Sequence, residues 1–355
     1  MLARRASGVQ AASGGMSLVT NSTSATYSFS TGGASAVTWY AYQGETLLDT
    51  ASGDSPSFDL SGATANVTIT TDPETPSLSD LDCTGDTTLI EVNGVDLSSA
   101  SGAVEDWDGC TSMTSFNATA IGSGSFYRAW RNCSSLTSFP ALDLSGGTSF
   151  QGSWNGCNSM TSFNASDIGA GSFSRTWEGC SSLTSFPALD LSGGTTFEGS
   201  WSGCSSMTSF NASAVGSGSF LDAWQGCSSL PSFPALDLSG GTSFEYAWDA
   251  CSSMTSFNAS AVGSGSFYRA WRNCSSLTSF PALDLSGGTR FTNAWVGCLL
   301  DQQSTENVLV ALDNGGASSL NTIIGTDGTS LSTAAAAAKT SLEGKGWTIT
   351  IEDNS

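Results

Sequence analysis

Histidine is absent from this chain, and lysine occurs only as Lys339 and Lys345. Without histidine no Ser–His or Cys–His nucleophile pair can form, and the commonest nitrogen ligand for a metal is missing. No Cys-x-x-Cys pair occurs, which removes the usual thiolate zinc motif. The glycine-rich SGGTSF runs lack the lysine of a phosphate-binding loop. Charge is scarce, at 12% of residues, and lopsided, with a net charge of −21. A surface this acidic disfavours nucleic acid and anionic membrane as partners. No apolar run is long enough for a transmembrane helix, so membrane insertion is not expected. The opening MLARRASGVQAASGG has basic residues without an apolar core behind them and does not read as a secretory signal. Acting outside a cell would require another route. The expectation is a protein that is not an enzyme and carries neither cofactor nor metal.

What the chain does have is repetition. Tryptophan returns as Trp107, Trp130, Trp154, Trp177, Trp201, Trp224, Trp248, Trp271 and Trp295, in steps that alternate between 23 and 24 residues. Cysteine follows three residues later each time, as Cys110, Cys133, Cys157, Cys180, Cys204, Cys227, Cys251, Cys274 and Cys298. The frame is F-x-x-[A/S/T]-W-x-x-C-x-x-[L/M]-x-S-F, seen first in FYRAWRNCSSLTSF from Phe126. A fixed period of this size means a solenoid, whose coils bury their apolar faces only against one another. Two coil types alternate, CSSLTSFPALDLSGGTSF and CSSMTSFNASAVGSGSF, so the full unit is 47 residues. Leu136, Phe139, Leu142, Leu144 and Phe150, with the Trp and Cys, illustrate the inward set. Each such side chain contributes roughly 1.5–3 kcal/mol when buried, before entropy. A stack of coils therefore needs no disulfides, and the regular cysteines read as a ladder of buried free thiols filling space. The strand is expected at L-T-S-F, extended through P-A-L-D-L or N-A-S-A-V. The F-x-x-A-W-x-x-C segment is expected to form a helical or 3₁₀ turn opposite it, since its spacing puts Phe, Trp and Cys on one face.

Around the array the chain changes character. Residues 1–15 read as a flexible or docking arm. Residues 16–77 carry strand-like runs, ATYSFS, AVTWYAY, ETLLDT and ANVTITT, and end in the Pro-bearing linker Asp72-Pro73-Glu74-Thr75-Pro76. They resemble a short immunoglobulin-like or PKD-like β-sandwich without its Cys–Trp–Cys signature. Residues 78–298 are the solenoid, with 78–106 as an atypical N-terminal cap in which Cys83 falls off the period. Residues 299–355 alternate helix, strand, helix and strand. The first helix is expected to be capped by Ser304 or Thr305 and closed by Gly315, and the two strands to extend the solenoid sheet over its open edge.

The A-W-x-x-C-S-S-L-T-S-F frame with its IGxGSF lead-in resembles the leucine-rich repeats of the BspA-like bacterial surface proteins. In that family an A-F-x-x-C-x-x-L-x-x-I frame recurs at a similar spacing. Here Trp stands for the usual Phe, and Phe for the strand aliphatic. The resemblance covers about 190 residues and implies a right-handed solenoid with a parallel sheet, used for binding and carrying no catalytic residues. The fold class expected is mainly β: a leucine-rich-repeat-like solenoid with a small N-terminal β-sandwich and an α/β C-terminal cap. The closing segment resembles caps found after such repeats in phage and bacterial surface proteins.

Copies of the coil differ mainly at the two residues after Phe and the two after Trp: YR/RN, QG/NG, SR/EG, EG/SG, LD/QG, EY/DA, YR/RN and TN/VG. Candidate binding residues are therefore Tyr127, Arg128, Arg131, Arg175, Glu198, Asp222, Glu245, Tyr246, Tyr268, Arg269 and Arg272. Arg beside Tyr suits a glycan or an acidic polymer. Exposed turns free to drift, with local ion pairs, are the competing account. The Thr-Ser strand positions read as a structural hydroxyl ladder, with ice or sugar binding as the alternative. Asp143, Asp190, Asp237 and Asp284, two coils apart, are too distant to share a cation or a proton and read as outward solubilising charges. Asn117, Asn164, Asn211 and Asn258 match glycosylation sequons but are expected to bond backbone at turns. These features together lead to an expected virion structural protein, such as a phage tail fibre, tip or capsid decoration. Its expected partners are virion proteins through the N-terminal region, a host-surface glycan or protein, and in a homo-oligomer a second copy of itself. The alternatives are a BspA-like adhesin at the bacterial cell surface, extracellular, and an ice-binding ladder.

Overall fold

The computed structural model describes residues 16–34, 37–71, 78–315, 322–326 and 331–353. The chain divides into two units, Met1–Gly169 and Ala170–Ser355. Both contain β-solenoid coils of about 24 residues, about eight in all. The expected arm over 1–15 and linker over 72–76 lie outside the described residues.

In the first unit, each coil is held by short parallel ladders. Ser138–Phe139 pairs with Ser162–Phe163, Asp143–Leu144 with Asp167–Ile168, and Gly124–Ser125 with Gly147–Ser149. The one long strand expected per coil is thus two short ones, with a third beyond it at Gly147–Ser149. Pro140 lacks the N–H to continue a ladder, and Leu142 N instead donates to the Pro140 carbonyl. The glycine pair at the last corner is steric: a Cβ on Gly147 would lie 2.1 Å from the Phe150 ring, which folds over it.

The helical or 3₁₀ turn expected around Trp is present only as alternate three-residue turns, with no continuous helix. Ala129, Arg131 and Cys133 each donate to the carbonyl three residues earlier, while Phe126, Arg128, Trp130 and Asn132 donate to Ser149, Gln151, Ser153 and Asn155 of the next coil. A helix would turn every N–H along its own axis. Here alternate residues turn theirs toward the neighbouring coil, and this needs left-handed backbone at Arg128 (φ 54°) and Asn132 (φ 60°).

Strands expected as a separate N-terminal sandwich share a sheet with the coils. The six-stranded order is Ser115–Ile121, Leu89–Leu97, Ser17–Thr20, Val67–Thr71, Thr38–Gln43, Thr46–Ser52. Only the first pair is parallel; the N-terminal strands add antiparallel to Leu89–Leu97. The exposed edge of the first coils is therefore paired by the chain's own start, which removes an aggregation-prone edge. Trp39, Phe29 and Phe58 pack beneath, with Trp39 and Phe58 at 0% and 1% exposure.

The second unit repeats the pattern, with Ser185–Phe186 on Ser209–Phe210, Ser232–Phe233 on Ser256–Phe257, and Gly218–Ser219 on Gly241–Ser243. Parallel strands lie about 4.8 Å apart, and the rings follow: Trp177, Trp201, Trp224, Trp248, Trp271 and Trp295 stack at 5.2–5.5 Å. Trp107, Trp130 and Trp154 do so in the first unit, at 5.3 and 5.2 Å. Strand phenylalanines meet the indoles edge-on, as Phe233 does Trp224 at 4.9 Å. All nine of these tryptophans have 0% exposure.

Closure at the C-terminus differs from expectation. Helix α1, Gln302–Asn314, is capped by Asp301, whose carboxylate accepts from Ser304 N at 2.8 Å. Ser304 Oγ accepts from Phe280 N, and Asn307 Nδ2 donates to Phe280 O. Helix side chains thus satisfy the backbone N–H and carbonyl of Phe280. Thr322–Thr326 and Ile349–Asp353 pair with each other in a sheet of their own. Helix α2, Thr333–Gly344, is capped by Ser332. No helix among the described residues is long and apolar enough to cross a membrane.

Candidate functional site

The variable pairs lie along one side of the coils, at the third and second residues before Trp and the first and second after it. The second residue of every pair is left-handed. Before Trp these are Arg128, Gly152, Arg175, Gly199, Asp222, Tyr246, Arg269 and Asn293; after it, Asn132, Gly156, Gly179, Gly203, Gly226, Ala250, Asn273 and Gly297. Glycine and asparagine take this conformation readily, whereas a larger side chain pays about 1 kcal/mol or more. Arg, Tyr and Asp thus occupy at some coils the position that glycine holds at Gly152 and Gly199.

Seen in three dimensions, the predicted residues fall into distinct groups. In the first unit Arg131 forms a two-pronged ion pair with the buried Asp108, Nε to Oδ1 at 2.9 Å, and that bond raises the arginine pKa further. Arg128 pairs with Glu105 at 3.3 Å and lies 4.7 Å over the Tyr127 ring. In the second unit Arg175 is mostly exposed and meets Glu178 at 3.8 Å. Glu198 is exposed, and Asp222 is half-buried. Burial, with Asp249 and Glu178 nearby, pushes the Asp222 carboxyl up.

Tyr246, Tyr268, Arg269 and Arg272 come together, with Glu245 preceding Tyr246. The two tyrosines meet edge-on at 5.3 Å. Arg269 lies 4.9 Å over Tyr268 and 5.8 Å over Tyr246, and Arg272 is 5.8 Å from Tyr246. Arg272 itself is held by Asp249, Nε to Oδ1 at 3.1 Å. Arg290, missed in the sequence, stacks on Tyr268 at 3.8 Å. Its signal was there: it replaces Ser149, Thr196 and Ser243 of other coils. The pairing carboxylates Glu105, Asp108 and Asp249 were missed too, because partners lie 23 residues apart in the chain yet on neighbouring coils.

Other candidates are occupied by the fold. Thiols of the array donate to a tryptophan carbonyl of the preceding coil, as Cys133 to Trp107, Cys204 to Trp177 and Cys274 to Trp248, at 3.1–3.2 Å, while Cys110 donates to the Cys83 carbonyl. The cysteines thus satisfy backbone as well as fill space. All ten are buried and free, and burial pushes thiols such as Cys204 up to about 12. Strand threonines donate to the preceding coil, as Thr161 Oγ1 to Thr137 O and Thr208 Oγ1 to Thr184 O. Asp143, Asp190, Asp237 and Asp284 each accept from the amide two residues on. Asn211 Nδ2 donates to Phe186 O, whereas Asn164 and Asn258 donate to neighbouring serines and Asn117 to Asn93. Among the described residues no group of three His, Cys, Asp or Glu could hold a metal ion.

No protein-family model matches this chain, nor does any curated protein or solved structure.

Proposed function

We propose that the chain is a non-enzymatic recognition protein whose solenoid presents its turn side to a glycan or protein on a host surface. The observation that carries this reading is the placement of Arg128, Arg175, Asp222, Tyr246 and Arg269 at left-handed turn positions, the position that glycine holds at Gly152 and Gly199. Backbone strain accepted at chosen coils, on a scaffold otherwise copied nearly letter for letter, fits a surface varied for contact. The virion setting rests on the sequence organisation: a basic arm, a small β region ahead of duplicated repeats, and a phage-like closing segment. The Thr ladder supports ice binding poorly, because its hydroxyls donate to backbone carbonyls of the preceding coil.

The test uses the whole chain, because removing residues 1–80 would strip Ser17–Thr20 from Leu89–Leu97 and open that edge. Fluorescently labelled protein is applied to a panel of bacterial cells and purified surface polysaccharides. Saturable binding to at least one surface is expected. Absence of binding across the panel removes the recognition reading and leaves a scaffold. Detection of the native chain in purified phage particles supports the virion setting, and detection on cells alone supports an adhesin instead.

A further inference from the structure

We propose that Tyr246, Tyr268, Arg269 and Arg290 form a site for an oxyanion, a carboxylate or sulfate ester, carried on a polysaccharide. The inference rests on the recognition reading above and names its ligand class.

Six arginines lie among the described residues: Arg128, Arg131, Arg175, Arg269, Arg272 and Arg290. Four have a carboxylate partner: Glu105, Asp108, Glu178 and Asp249. Arg269 and Arg290 have none among the described residues, in a chain with 31 acidic residues. Both unpaired cations contact the same ring, Tyr268, at 4.9 and 3.8 Å. Arg269 Nε is buried and has no acceptor among the described residues.

The chain contains its own comparison. YRAWRNC is written twice, from Tyr127 and from Tyr268. In the first copy the preceding coil places Glu105 at its left-handed turn, and Arg128 is neutralised there. In the second copy the equivalent position is Tyr246, also left-handed at φ 54°. An aromatic ring replaces the carboxylate and leaves the Arg269 charge unquenched. The neighbouring Arg272 keeps its Asp249, as Arg131 keeps Asp108. One substitution between duplicated coils thus converts a closed ion pair into an open cation.

Stacking fixes what such a cation can bind. A guanidinium lying on a tyrosine ring has one face covered, while its N–H donors point outward in its own plane. That fork matches the two oxygens of a carboxylate or sulfate. Two such forks on one ring suit a polymer that offers an oxyanion at intervals. Arg290 lies over the Tyr268 ring at 3.8 Å, where it competes with stacking of a neutral sugar.

The test is titration calorimetry of the full chain with oligogalacturonate (carboxylate), heparin-derived oligosaccharide (sulfate) and maltooligosaccharide (uncharged). Arg269→Gly removes the cation and suits the left-handed backbone, so folding is retained. Tyr246→Glu recreates the Glu105 arrangement. Lys339→Ala removes a cation from α2 and serves as control. Near-UV circular dichroism of the tryptophan column checks the fold of each variant. Binding of at least one acidic oligosaccharide is expected, with tenfold or greater loss in Arg269→Gly and Tyr246→Glu and no change in Lys339→Ala. Equal binding of maltooligosaccharide, or acidic binding indifferent to both site variants, overturns the proposal while the recognition reading stands. The same holds if cells bind but no acidic oligosaccharide does. Failure to bind cells as well overturns both.

Discussion

Replacing Trp224 by alanine measures what the indole column contributes. Trp224 stacks on Trp201 at 5.2 Å and Trp248 at 5.5 Å, and meets Phe210 and Phe233 edge-on at 5.4 and 4.9 Å. It also lies 5.7 Å from Phe220 and has no exposed surface. Its Nε1 has no acceptor among the described residues, so truncation removes packing and no hydrogen bond. Burying about 200 Å² at about 25 cal/mol per Å² gives about 5 kcal/mol, and truncations of buried aromatics cost about 3–5 kcal/mol. Trp295, with Trp271 as its one indole neighbour here, lacks a stacking partner worth about 0.5–1.5 kcal/mol. Guanidinium unfolding should therefore show a loss of about 4 kcal/mol for Trp224→Ala, and a smaller one for Trp295→Ala. Because solenoid coils depend on their neighbours, hydrogen exchange should accelerate first around Cys204 and Cys227. A loss below about 1 kcal/mol, or faster exchange spread evenly over the unit, would refute the column as the source of stability.

Three further outcomes follow from the same geometry. Arg272→Ala strands the buried Asp249 carboxylate and should cost about 3–5 kcal/mol, whereas Arg175→Ala, on a mostly exposed pair, should cost at most about 1 kcal/mol; chemical denaturation of both variants checks the contrast. Burial, then the charges of Asp80 and Asp82, pushes the Asp106 carboxyl up to about 8. The folded chain thus holds a proton that the unfolded chain releases near pH 4. Stability should fall as pH rises between about 4 and 8, and Asp106→Asn should flatten that part of a melting-temperature profile. An aromatic disulfide reagent should label none of the ten thiols in the native protein and all ten in denaturant; rapid labelling under native conditions would contradict the buried ladder.

The solenoid was legible because one physical demand repeats. Every coil must offer the same apolar set to its neighbours, so Trp, Cys and Phe recur on a fixed step. The turn geometry was harder to read. A Phe–Trp–Cys spacing of four and three fits a helical face, and only the Gly and Asn recurring at the second residue after Trp, as at Asn132, Gly156 and Gly179, betray a left-handed backbone. The N-terminal sheet could not be read locally: Ser17–Thr20 and Leu89–Leu97 pair across some seventy residues, and the Pro-bearing stretch between them looks like a boundary. The charge chemistry divided for the same reason. Arg269 and Arg128 sit in identical heptads, and their difference resides in Tyr246 and Glu105, one coil away. Arg290 stood inside a segment that otherwise hardly varies.

The measurement closest to the central claim compares two sides of the solenoid. One full-length variant changes Arg128, Arg175, Tyr246 and Arg269 to glycine, which their left-handed backbone favours. Another changes the strand residues Thr161, Thr208 and Thr255 to valine. Each is titrated onto the cell surface that the unmodified chain binds. Recognition through the turns predicts at least a tenfold weaker affinity for the glycine variant and an unchanged one for the valine variant. Loss confined to the valine variant, or no loss in either, would contradict it.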